Sequence, residues 1–287
     1  MMMNPPEAEP TKLVAVAVPL SLNNELSEEE RISLNQLNRC LSRYDRYFVA
    51  PRGARNPDMN FRIKEFDKKY FGSAQAHNKL LLSPEFYRSF SDYEFLLIYH
   101  LDALVFSDQL EAWCQLDYDY IAPPWIHEVP GGSGKVLGRC GNGGFSLRKT
   151  ESFLRVLDST KTTISNWKLW KLITIKRSRA EKMFMLPLLL LLFTPKLRKS
   201  ILIKYGYTRN EDGFWADHAK YFYPDFKVSP AELALKFGFD KDPGYCFERN
   251  NLVLPFGCHA WHKYDKSFWT DILHDQNRQS RKKRQAG

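Results

Sequence analysis

Apolar positions along this chain follow two rhythms. Short continuous runs at Lys12–Leu20 (closed by Pro19), Arg46–Ala50, Phe95–Tyr99 and Tyr118–Pro123 are too short for helices and read as strands. Phe95–Tyr99 has the character of a strand covered on both faces of a sheet, and Lys12–Leu20 that of a buried strand. Between them the period lengthens. Glu25–Tyr44 predicts a helix, with Ile32, Leu34, Leu37 and Leu41 as its apolar face, and Ser27 three residues before Glu30 is the signature of a capping box. His77–Phe90 predicts one or two short helices broken before Pro84, and Phe61–Phe71 an irregular segment or short strand. Further helices are expected at Asp108–Leu116 and Thr150–Leu157, one beginning at Asn210–His218, and a short final one at Ser267–Leu273. No internal repeat is visible.

Strands and helices alternating at this spacing predict an α/β fold, Rossmann-like, with a mostly parallel central sheet flanked by helices. Phe95–Tyr99 is the run around which the chain is organised. Asp102 follows it, before a second apolar run at Ala103–Phe106. A carboxylate there is desolvated unless something positive meets it, and ligands of open α/β sheets bind at the carboxyl ends of strands. A surface turn or a helix cap is the plainer alternative. His100, one register step off, is expected on the opposite face of the strand.

Composition adds the class. With 44% hydrophobic and 14% aromatic residues the chain reads as folded and globular. Its five cysteines, odd in number and without C-x-x-C spacing, argue against a disulfide framework and a structural zinc site, and for a reducing, cytoplasmic setting. Residues 1–10 read as a loose tail with no secretion signal.

The formal charge of +9 is unevenly placed. Residues 161–204 hold eleven Lys/Arg and one acid, and the tail from Asn277 holds five bases and no acid; the remaining body is mildly acidic. A nucleic-acid binder calls for a basic face on its core, so no nucleic-acid partner is expected. Within 161–204, Trp167–Lys176 interleaves apolar residues with lysine, and Met183–Phe193 is uncharged but interrupted by Pro187. Eleven residues are too few to span a bilayer, which needs about 20 in a helix. The segment predicts either an inserted helical pair covering the sheet or a dimer contact, or an interfacial anchor giving peripheral membrane contact.

Candidate chemistry gathers in four motifs. Leu101-Asp102-Ala103 ends the central strand; Gly141-Asn142-Gly143-Gly144 allows a tight bend and close approach to a ligand; Asn210-Glu211-Asp212 opens a helix; Gly257-Cys258-His259-Ala260-Trp261 lies near the end. Neither phosphate-loop fingerprint is present. In this order the four motifs resemble GT-A-type glycosyltransferases, in particular a bacterial-type branch carrying LDALVF, GNGGFSLR, EDGFW and FGCHAW, over roughly Leu13–Tyr264 apart from the basic segment.

The resemblance implies transfer of a sugar from a nucleotide-sugar donor to a hydroxyl of a carbohydrate or glycolipid acceptor, with inversion and with Mn²⁺ or Mg²⁺. Asp102 and His259 would hold the metal, with His262 the alternative histidine. Asp212 would be the catalytic base, with Glu211 orienting base or acceptor. Asn78 and Lys79 would reach the diphosphate, and Gly143 and Gly144 would line the donor site. Trp125 and Trp215 are candidates for stacking on a sugar, or for the core. The family's D-x-D is here Asp102-Ala103-Leu104, so its second acid is missing. A metal-dependent phosphoester hydrolase, or a non-catalytic carbohydrate- or membrane-binding member, is the competing expectation. The implied organisation is a tail (1–10), a nucleotide-sugar-binding half (11–160), a basic Leu-rich helical insertion (161–205), an acceptor half of the same domain (206–275) and a basic tail (276–287).

Overall fold

The computed structural model describes residues 11–22, 25–129, 131–132, 134–159, 161–174, 177–187, 194 and 210–285. The expected N-terminal tail, much of the Leu-rich run and the stretch leading to Asn210 (188–193 and 195–209) lie outside the described residues.

A six-stranded sheet runs through the molecule. Its strands are β1 (Lys12–Pro19), β2 (Asp45–Pro51), β3 (Arg62–Phe66), β4 (Tyr93–Tyr99), β6 (Tyr120–Ile121) and β9 (Phe145–Lys149), in the order β3-β2-β1-β4-β9-β6. All run parallel except β9, which is antiparallel to both neighbours. Two small sheets join it. One holds β5 (Leu104–Val105), β10 (Gly238–Phe239) and β11 (Gly257–Cys258); the other is a hairpin of β7 (Pro124–Glu128) and β8 (Lys135–Cys140).

The helices are α1 (Glu28–Cys40), α2 (Ala74–Leu81), α3 (Pro84–Arg88), α4 (Leu110–Gln115), α5 (Thr150–Asp158), α6 (Asn166–Thr174) and α7 (Arg179–Phe184). After the undescribed stretch come α8 (Glu211–Asp217), α9 (Ala231–Phe237), α10 (Pro243–Arg249) and α11 (Lys266–Gln285). The architecture is the expected one: α/β, with a mostly parallel sheet between helical layers.

The continuous apolar runs are explained by the two cores. Ala15, Ala17, Leu96 and Ile98 face one layer, with α2, α3, α5 and α8. Val14, Val16, Val18, Phe95, Leu97 and Tyr99 face the other, with α1 and α4. A strand whose side chains alternate between two buried layers has no polar position to show. The capping box forms as read: Ser27 Oγ accepts from Glu30 N–H at 3.2 Å, and Glu30 accepts from Ser27 N–H at 2.8 Å.

The final helix departs from expectation, running on from Lys266 to Gln285 rather than stopping at Leu273. The apolar stripe does end there. Polar, helix-compatible residues carry the helix on, and hydrophobic period cannot see them. Among the described residues no helix is long and apolar enough to cross a membrane.

Candidate active site

The three-stranded sheet assembles the first half of the site. Antiparallel pairing of β5 with β11, and parallel pairing of β10 with β11, bring the residues flanking these strands together. Asp102 precedes β5, Asp240 follows β10 and His259 follows β11. Trp261 N–H donates to the Asp102 carbonyl at 3.0 Å and His259 N–H to that of Phe239 at 2.8 Å, fixing all three. Ala260, at φ 52°, then turns the chain sharply away from His259, in a region that residues other than glycine rarely adopt.

His259 is held from both sides. Nδ1 lies 2.9 Å from Asp240 Oδ1. An ionised carboxylate only accepts, so Nδ1 carries the proton and Nε2 is the face offered to the site. Nε2 lies 3.2 Å from Asp102 Oδ1 but out of line for a hydrogen bond, leaving that buried oxygen without a hydrogen-bond partner. The other Asp102 oxygen accepts from Lys263 Nζ at 2.6 Å.

His100 completes the group. It does not point to the opposite face. Strand alternation stops at Tyr99, and a turn closed by Ala103 N–H on the His100 carbonyl (2.8 Å) folds Asp102 back beside it. Ligand atoms of His100, Asp102 and His259 lie within 4.8 Å of one another. His77, on α2, lies 3.0 Å from His100 through the two Nε2 atoms.

Burial, and then His77, hold His100 well below the ordinary histidine range. Burial and then Arg148 lower His77 to about 4. Burial opposes the charged form of His259 too, but Asp102 and Asp240 outweigh it and push it up to about 9. Burial works to raise Asp102 as well; His259, with His100 and Lys263, holds the carboxyl well below its usual range. A neutral imidazole, a firmly ionised carboxylate with an orphaned oxygen, and a second imidazole backed by a carboxylate form a mixed nitrogen and oxygen donor set that suits Mn²⁺ better than Mg²⁺, which takes oxygen ligands. Position 104 cannot add a second acid, because Leu104 is wholly buried in β5.

The second half rests on Arg148. All five of its N–H donors are engaged although the side chain is fully buried: Nε to Ser146 Oγ (2.9 Å), Nη1 to Tyr87 Oη (2.8 Å) and Glu211 Oε2 (3.1 Å), Nη2 to Glu211 Oε1 (2.7 Å) and the Gly143 carbonyl (3.2 Å). This clamp sets the first turn of α8. Asn78 Oδ1 accepts from Glu211 N–H at 3.2 Å and helps to satisfy that helix end.

Asp212 follows Glu211, and its Oδ2 accepts from Gly143 N–H at 3.4 Å. Burial, and next the Glu211 charge, raise Asp212 to about 7.

Gly143 and Gly144 separate the halves. A Cβ on Gly143 would stand 2.4 Å from Glu211 Oε1; one on Gly144 would stand 2.1 Å from His259 Nε2 and 2.9 Å from His100 Nδ1. Neither position has room for a side chain. On one flank a cleft of about 680 Å³ is lined by His77, His100, Asp102, His262 and Lys263, with Leu20, Phe71 and Ser73. On the other a cleft of about 430 Å³ is lined by Asp212, Trp125, His127, Arg139 and Asp217.

Asp102, His259, Gly143, Gly144, Glu211 and Asp212 are thus brought together. Asn78 serves α8, and neither it nor Lys79 lines the larger cleft. Trp215 is core, wholly buried, whereas Trp125 lines a cleft under the Arg139 guanidinium, 4.5 Å from its ring. His77, Arg148, Asp240 and Lys263 are site residues that sequence reasoning does not single out, and His100 is one that it sets aside. Lys263 stands just past the C-terminal histidine motif and Arg148 closes the glycine-rich one; the others carry no local signal.

The fold and site define an α/β protein with a carboxylate–imidazole cluster at its strand ends. The chain belongs to the DUF5672 family (Protein of unknown function), whose model matches residues 60–259. No curated protein matches it. Among solved structures it is similar to mouse xyloside xylosyltransferase 1 (13% identity, 86% of this chain and 97% of that one, TM-score 0.43). It is also similar to an active-site mutant of LgtC (13%, 91% and 95%, 0.45). A third likeness is to a glycosyltransferase involved in glycosylation of the major capsid of PBCV-1 (10%, 86% and 93%, 0.40).

Proposed function

We propose that this chain is a metal-assisted glycosyltransferase, moving a sugar from a nucleotide-sugar donor to a hydroxyl of a carbohydrate or glycolipid acceptor. One observation carries the reading. The His100, Asp102 and His259 cluster, whose donor atoms could hold a cation, and a carboxylate raised to about 7 flank the same two glycines, each opening into its own cleft. That arrangement suits a leaving diphosphate on one side and a hydroxyl losing its proton on the other.

His100, Asp102 and His259 would hold the Mn²⁺ or Mg²⁺, which supplies positive charge to the departing diphosphate. Lys263, beside Asp102, adds a cation on the same wall. Asp212 takes the acceptor proton, its raised value matching a base that works near neutrality. Glu211 keeps Asp212 in place through Arg148 and raises it by its charge. A single carboxylate placed as base supports one displacement, hence inversion. The missing second acid does not move the balance to a hydrolase, because Asp240 is engaged with His259 and the cluster holds only Asp102 as a carboxylate.

The test is a panel of nucleotide sugars with Mn²⁺, reading nucleotide diphosphate release and thermal stabilisation by each nucleotide diphosphate. A ligand at a hundredfold excess over its Kd adds ~2.7 kcal/mol. Release from one donor, dependent on metal and lost in Asp102→Asn, is expected. A protein stabilised by no nucleotide diphosphate, with or without metal, is not this enzyme.

A further inference from the structure

We propose that the helical pair α6–α7 docks this protein on a bilayer surface carrying anionic headgroups. The proposal does not rest on the transferase reading. The pair is fastened by one set of side chains: Ile164, Leu169 and Met185 are buried in the same core cluster as Phe214 and Trp215 of α8. Thr163 N–H donates to the Tyr221 carbonyl at 2.8 Å. The segment is therefore built onto the shelf that carries Asp212.

Four of its large apolar residues face outward. Trp167 is 64% exposed, Met183 73%, Phe184 92% and Leu186 56%. Single exposed apolar residues are ordinary; four within twenty residues mark a binding surface. Basic residues accompany them. Lys171 Nζ lies 5.7 Å from the Trp167 ring centroid, and Lys168, Arg179 and Lys182 sit on the same two helices.

Charge decides the occupant. Among the described residues of this segment Lys161, Lys168, Lys171, Arg177, Arg179 and Lys182 stand against Glu181 alone, a net +5, whereas the sequence outside 161–204 and the basic tail carries −6. An anionic surface attracts this side and repels the body, so it selects one orientation. A second copy is disfavoured for the same reason, since a two-fold contact sets a patch against itself, +5 against +5 on the described residues. Aromatic and aliphatic side chains among lysines are the composition of an interfacial anchor, apolar groups entering the headgroup layer and bases meeting phosphate.

The experiment is co-flotation of the full chain with phosphatidylcholine vesicles, with and without phosphatidylserine. Flotation with phosphatidylserine vesicles only, weakened by salt, is expected. Trp167→Ser with Phe184→Ser should lower the bound fraction about tenfold or more. Lys171→Glu and Lys182→Glu should each lower it about fivefold or more. All these positions are at least partly exposed, so thermal melting should not change and folding is controlled. No flotation with phosphatidylserine vesicles, or equal flotation of parent and variants, overturns the proposal. So does a parent dimer that Phe184→Ser converts to monomer without any vesicle binding, which would assign the surface to a second copy.

Discussion

Arg148 closes on Glu211 through two parallel hydrogen bonds, 2.7 and 3.1 Å long, where both side chains are buried. The pair joins β9 to α8 and holds the carbonyl of Gly143 as well. Removing one partner strands the other charge in the core. Glu211→Gln should therefore destabilise the fold by about 3–5 kcal/mol in urea unfolding. Arg148→Lys should also destabilise, because an ammonium cannot reproduce the planar fork. A loss below ~1 kcal/mol, the worth of a surface pair, would deny the clamp its role.

Asp212→Asn should leave nucleotide diphosphate binding unchanged and lower transfer about 10²–10⁴-fold. A base must be ionised, so transfer by the parent protein should fall as pH drops through about 7. The stability signature has its own sign. A carboxyl raised on folding binds protons more tightly in the native state, so its contribution to stability falls as pH rises from the usual carboxylate range to about 7. Asp212→Asn should accordingly raise Tm above pH 7, and the gain should vanish toward pH 4. A Tm difference independent of pH would place the raised carboxyl elsewhere.

Asp102→Asn and His259→Ala should each abolish the Mn²⁺-dependent part of nucleotide diphosphate affinity while leaving circular dichroism intact. A metal displaces the proton that His259 otherwise holds up to about 9. Mn²⁺ binding should thus strengthen with pH up to that value and release a proton. Calorimetry in buffers of different ionisation enthalpy reads that proton directly. Identical titrations in parent and both variants would remove the metal from this cluster.

Gly144→Ala puts a methyl carbon where His259 Nε2 and His100 Nδ1 converge. Metal affinity should fall at least tenfold, and Tm should fall too, because the methyl can be housed only by displacing imidazoles that are themselves largely buried. Unaltered Mn²⁺ affinity in a folded Gly144→Ala protein would mean the cluster is looser than its distances indicate.

The sheet is legible in the sequence because buried parallel strands leave apolar runs, and the capping box at Ser27 and Glu30 because its spacing is local. The site is legible in its motifs but not in its joints. Asp240 lies nineteen residues before His259 and meets it only because β10 and β11 pair, which no periodicity announces. His100 falls on the unexpected side because strand alternation ends one residue before it. Helix α11 outruns its apolar rhythm because the residues from His274 to Gln285 are all polar and leave no such rhythm to read.

The two glycines between the clefts have a consequence for how such a protein changes its chemistry. Only main chain separates the Asp212 carboxylate from the His100, Asp102 and His259 cluster, and consecutive Cα atoms stay about 3.8 Å apart whatever the side chains around them do. The outer walls are under no such constraint: Trp125, His127 and Arg139 on one side, Leu20 and Phe71 on the other. New partners for either cleft can be selected by substitution on those walls while the spacing of carboxylate and cluster stays set by the backbone.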